Sequence, residues 1–122
     1  MTRTEFVRRF VLMEIADDYE NLEHIRTTVA RDGSRCGMTI SDTEIFRALA
    51  DLIEAGLAKA YRLSGTAPAE VIPGVPRPRE IEDVHTYFWA TSDGGDLVVS
   101  DREWWPFDDI GELREDWLPP VD

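Results

Sequence analysis

Thr39-Ile40-Ser41-Asp42-Thr43-Glu44-Ile45-Phe46-Arg47-Ala48-Leu49-Ala50-Asp51-Leu52-Ile53-Glu54-Ala55-Gly56-Leu57 is the stretch that decides the fold. Ser41 with Glu44 three residues on is a capping box, in which each side chain satisfies a backbone N–H left free at a helix start. Ile45, Leu49, Leu52 and Ile53 recur at spacings of three and four, so they share one face and predict its burial. Gly56 ends the helix, because a residue without Cβ accepts the left-handed conformation found at helix termini. The pattern predicts a helix over 42–55 and then a strand over 57–63, with Leu57, Tyr61 and Leu63 on one face.

Upstream, Thr2 followed by Glu5 is a second capping box. Phe6, Val7, Phe10, Val11 and Ile15 form the stripe of a helix over 3–16. Asp17 and Glu20 signal the start of another helix over 19–31, with Leu22, Ile25 and Val29 inward and Asp32-Gly33 as its stop. Downstream, Pro68, Pro73, Pro76 and Pro78 with Gly65 and Gly74 make 64–83 a loop in which no helix is expected. A strand over 84–91 has faces Val84, Thr86, Phe88 and His85, Tyr87, Trp89, both apolar enough to need cover. Three helices can cover one face, so the tail is expected on the other.

Three helices followed by a two-stranded hairpin is the layout of a winged helix-turn-helix domain. The 39–57 stretch is similar to the recognition helix and its exit in PadR- and MarR-like regulators, with a Ser-capped helix, a leucine pair and Glu54-Ala55-Gly56-Leu57 leading into the wing. Tyr87-Phe88-Trp89-Ala90-Thr91-Ser92-Asp93-Gly94 resembles the return strand of the wing. The resemblance covers roughly residues 5–97. It implies an α+β winged-helix fold of three helices and a two- to three-stranded antiparallel wing with a long inter-strand loop. On that basis 1–97 is the winged-helix domain and 98–122 an acidic, Trp-rich C-terminal extension packed on it.

Composition narrows the function. The chain has 122 residues, 43% apolar and 31% charged, enough for one domain with its own core. No run approaches 18 apolar residues, so no membrane helix is expected, and the charged stretch 1–9 does not suit export. A lone cysteine, Cys36, fits a reducing, cytoplasmic setting. Net charge is -12, of which -10 lies in residues 63–122. Such a balance opposes strong binding to polyanions.

The helix over 42–55 sharpens this point, since its outward positions are Asp42, Thr43, Glu44, Arg47, Asp51 and Glu54. A helix entering the major groove passes between two rows of phosphates and normally carries positive charge. If the chain does bind duplex DNA, Arg47, Lys59, Arg62, Arg77 and Arg79 are the side chains to do it. No catalytic motif is found. Gly94-Gly95 is read as a turn pair without the setting of a phosphate cradle. His24, His85 and Cys36 lack zinc spacing, so no metal or cofactor is expected. Cys36 lies beside Arg35 in a loop, a setting open to an exposed, somewhat activated thiol, but without a second cysteine or a nearby base no redox switch is expected.

Asp101-Arg102-Glu103-Trp104-Trp105-Pro106-Phe107 packs rings too large to be left in water. Trp104, Trp105, Phe107 and Trp117 are either core or an interaction surface, and a short helix is expected over 111–117. The leading expectation is a non-enzymatic winged-helix protein used in protein interaction or regulation, with a homodimer or a basic protein as partner and DNA binding weak or absent. The alternatives are a transcriptional regulator acting through the helix and the wing, and an acidic inhibitor mimicking nucleic acid.

Overall fold

The structure, a computed structural model, describes residues 1–120. Thr2 opens α1 (Arg3–Glu14), its hydroxyl accepting the Glu5 N–H at 3.1 Å. A two-residue strand, β1 (Glu20–Asn21), comes next, and the Asn21 side chain caps α2 (Leu22–Arg35) by accepting the His24 N–H at 3.0 Å. α2 therefore begins after Tyr19 and does not stop at Asp32-Gly33. Gly33 is a buried helical residue, where a Cβ would sit 2.8 Å from Ile40 Cδ1, so close packing and not chain termination explains this glycine.

α3 (Asp42–Glu54) has both hydrogen bonds of the Ser41/Glu44 capping box. It buries Ile45, Ala48, Leu49 and Leu52, leaves Ile53 half-buried, and gives way to Gly56 at φ 77°. β2 (Ala58–Arg62) follows, then β3 (Glu70–Ile72), α4 (Pro78–Ile81), β4 (Thr86–Ala90) and α5 (Ser92–Ser100). Three of these correct the sequence expectation. The proline-rich loop contains a strand and a short helix, because Pro78 opens α4, where the missing N–H has no helical partner to lose. Ile81, buried, anchors that turn in the core. Gly94-Gly95 lies inside α5 and not in a turn; Thr91 caps that helix by accepting the Gly94 N–H at 3.2 Å. The division at 97/98 thus falls within a helix whose Val98 belongs to the core.

The described residues form an α+β fold of five helices and one antiparallel four-stranded sheet, ordered β1-β4-β2-β3. Ala58 pairs with Ala90, Lys59 with Trp89, Ala60 with Phe88, Tyr61 with Tyr87 and Arg62 with Thr86. Alternation puts Ala58, Ala60, Thr86 and Phe88 on the face under the helices, all of them buried. The buried face of β2 is thus its alanine face, and Leu57 and Leu63 lie outside the strand. The small side chains let α3 approach closely, while Tyr61 points the other way.

The tail does not cover that other face. Trp104 packs on Phe6 and Phe10 of α1 at ring centroid distances of 5.6 and 5.8 Å, Trp105 on Phe10 at 5.5 Å, and Trp117 on Phe6 at 5.5 Å. Arg114 fixes the path by donating Nη1 hydrogens to the Glu103 and Trp105 carbonyls at 2.7 and 2.8 Å. Arg35 lies over the Phe107 ring at 4.3 Å and donates to the Gly111 carbonyl. The expected helix over 111–117 is absent; 106–117 instead makes turns and a Phe107–Leu113 bridge.

Candidate functional site

Two surfaces compete for function: the outward side of α3 with the loop leading to β4, and the open face of the sheet.

On α3, two of the four outward carboxylates are in ion pairs. Glu44 faces Arg3 at 2.9 Å, and Asp42 faces Arg26 at 3.3 Å. Asp51 and Glu54 make no ion pair among the described residues, and Arg47 is the one cation of the helix. Phe46 and Ile53, both half-buried, add apolar surface. The other cations are dispersed. Arg47 lines a small hollow with Thr4, Val7 and Ala48; Lys59 lies beside Trp89 on the open sheet face. Arg62 is held 3.9 Å from Asp83, while Arg77 and Arg79 are exposed at the start of α4 with no carboxylate pair among the described residues. The five do not form a continuous ridge.

Glu44 has a local electrostatic role. The Arg3 hydrogen bond, assisted by the Ser41 backbone N–H, holds its carboxyl below the usual value of 4.5. Its charged form is therefore favoured by folding, and that contribution is present above 4.5 and lost as pH falls through the lowered value. Glu14 has the opposite sign, because burial raises its carboxyl, partly countered by His24 at 3.7 Å. Its contribution is present below 4.5 and lost as pH rises through the raised value. Glu44→Gln is expected to lower stability at neutral pH, with the deficit shrinking in acid. Glu14→Gln is expected to raise stability at neutral pH, with the gain shrinking in acid. Urea midpoints across pH 3.5 to 7 (a range of about one unit below to several above the carboxylate value) check both; parallel curves for the two variants would contradict the assignment.

Cys36 is buried, with its Sγ 3.2 Å from the Gly33 carbonyl oxygen, and burial pushes its thiol up. An exposed, activated thiol is thereby excluded: the side chain is buried at the end of α2, and burial outweighs the nearby Arg35 charge. His24 Nε2 sits 3.4 Å from Glu20. No cluster of three histidine, cysteine or carboxylate side chains suited to a metal occurs among the described residues, and none of their helices is long and apolar enough to cross a membrane.

The open sheet face was not recognised as a site in the sequence. It carries Lys59, Tyr61, Tyr87 and Trp89, with Val71 beside Tyr61 through the β2–β3 register. Tyr19, ahead of β1, folds onto it, its ring 5.0 Å from Tyr61 and 4.5 Å from Trp89. A shallow concavity of about 620 Å³ runs from Ala16 and Lys59 over Trp89 to Asp96. Its signal in the sequence is the second apolar face of the strand, which is expected to lie under the tail because the helices can cover only one face.

Family models, curated proteins and solved structures contain no match to this chain.

Proposed function

We propose that this chain is a winged-helix domain working through protein contacts and without catalysis, and that it is not a strong duplex-DNA binder. Support for the fold assignment is the connectivity: β1, between α1 and α2, adds to the outer edge of β4, while α3 leads directly into the β2–β4 pair. β3, α4 and the tail are then elaborations of the wing and of α1. The functional reading is carried by the ion pairing on α3. Arg3 and Arg26 are committed to Glu44 and Asp42, so among the described residues one cation of α3, Arg47, stands against Asp51 and Glu54, with half-buried Phe46 and Ile53 on the same helix. A mixed apolar and acidic surface suits a protein and repels phosphates.

The test is fluorescence anisotropy on a duplex of random sequence at about 50 and 200 mM salt, where phosphate-driven binding changes by orders of magnitude. The expected result is no salt-sensitive binding. Binding that falls steeply with salt and is lost in Arg77→Glu/Arg79→Glu would establish the transcriptional-regulator alternative, since those two arginines are exposed and unpaired at α4. The acidic-inhibitor alternative requires that the protein displace DNA from a basic protein competitively.

A further inference from the structure

We infer that the open face of the sheet docks an arginine-bearing segment of a basic protein, the guanidinium groups lying on Trp89 and Tyr61 and pairing with Asp96, Asp17 and Asp18. The inference takes from the proposed function only that a protein partner exists; it concerns a different surface from α3.

Three observations select this occupant. The first is that the rings are contiguous and left open. Tyr61, Tyr87 and Trp89 are neighbours by strand register, Tyr19 stands at 85° to Tyr61 and 53° to Trp89, and the tail packs elsewhere. Because Tyr19 already touches both partners, no enclosed cage remains for a compact ammonium. A flat guanidinium that stacks on the open side of a half-buried ring fits better, as planar Arg does. The second is charge. Asp96 lines the concavity, Asp17 and Asp18 are exposed just ahead of Tyr19, and none of the three makes an ion pair among the described residues. Lys59 is the single opposing charge. Carboxylates on such a stacking platform disfavour a single-stranded nucleic acid, and a net charge of -12 disfavours a second copy of the chain. The third is shape: the concavity is shallow and open along the strands, which suits an extended peptide and not a small molecule that must be enclosed.

The probe is a fluorescein-labelled peptide of alternating arginine and glycine, titrated with the full chain by anisotropy; a lysine-for-arginine peptide of equal charge serves as reference. Arginine is expected to bind at least about threefold tighter than lysine, through stacking. Asp96→Lys is expected to weaken binding about tenfold and Lys59→Glu to strengthen it about threefold or more, through local charge. Asp109→Lys, an equal charge change on the exposed tail, should leave affinity within about twofold. All three substituted side chains are exposed, so the variants are expected to fold, with circular dichroism as the check. The proposal is overturned by absence of binding, by equal affinity for the two peptides, or by equal weakening from Asp96→Lys and Asp109→Lys. Tight binding of single-stranded oligonucleotide, or a dimer in sedimentation that dissociates in Lys59→Glu, would also overturn it. Failure here with a negative DNA titration removes only this surface. Salt-sensitive DNA binding with peptide binding intact removes only the proposed function.

Discussion

Phe10→Ala is expected to lower stability by about 3–5 kcal/mol, the range for truncating a buried phenylalanine. Phe10 is 2% exposed and sits at the centre of a ring cluster, edge-on to Phe6 at 4.7 Å and in contact with both Trp104 and Trp105. Truncation therefore does two things. It opens a cavity between α1 and the tail, and it removes the surface on which the tail lies. Removing a contact shared by two indoles also means that the site cannot collapse without moving the chain from Asp101 onward. For a domain of this size the loss corresponds to a fall in melting temperature of roughly 10–20 °C. Tryptophan emission should shift to the red in the folded variant, because three of the four indoles are in the tail. A loss below about 1 kcal/mol with unchanged emission would show that the cluster is not part of the core.

The second large effect concerns two adjacent glycines. Gly94→Ala is expected to destabilise by about 2–3 kcal/mol, and Gly95→Ala to stabilise by about 0.5–1 kcal/mol. A Cβ on Gly94 would lie 2.1 Å from the Leu57 carbonyl oxygen. That oxygen cannot withdraw cheaply. It accepts the Thr91 N–H at 3.0 Å, the Leu57 N–H is bonded to Leu52 at 2.9 Å, and the Thr91 hydroxyl donates to the Gly56 carbonyl at 2.7 Å. α5 is thus clamped to the exit of α3 through one backbone approach, which only glycine permits. At Gly95 a Cβ would meet nothing within 4 Å, and its φ lies outside the positive region, so alanine restricts the unfolded chain at no folded-state cost. Urea midpoints of the two variants should move in opposite directions. Movement in the same direction would mean that α5 is not packed against Leu57 as described.

Much of this fold was written locally in the sequence. The caps at Thr2 and Ser41, the stripes of α1 and α3 and the left-handed Gly56 depend on neighbours a few residues away. Most of the differences involve a partner outside the segment's own pattern. β1 has only two residues and no pattern of its own, and exists because Phe88 and Tyr87 pair with it. Gly33 reads as a helix stop until Ile40 is found packed against it, and Gly94-Gly95 reads as a turn until Leu57 is found above it. The size of the tail's rings predicts that they need cover, but does not say which surface provides it. The tail's choice of α1 depends on rings at Phe6 and Phe10 and on Arg114 and Arg35, none of which announces the pairing in sequence. The same distant choice leaves the second face of β4 open, so the candidate site does not show in the strand's own residues. The acidity of α3, by contrast, was legible, although only coordinates show that Arg3 and Arg26 are consumed in offsetting it.

The ring cluster joins the beginning of the described chain to its end, and this constrains the order of synthesis. Phe6 and Phe10 leave the ribosome before the indoles that shield them, and Trp104 and Trp105 follow Phe10 by roughly ninety residues. At ordinary elongation rates that interval is on the order of ten seconds. Throughout it the emerging helix α1 carries an unshielded aromatic strip, and the polypeptide cannot close over that strip until Trp104 and Trp105 have been made.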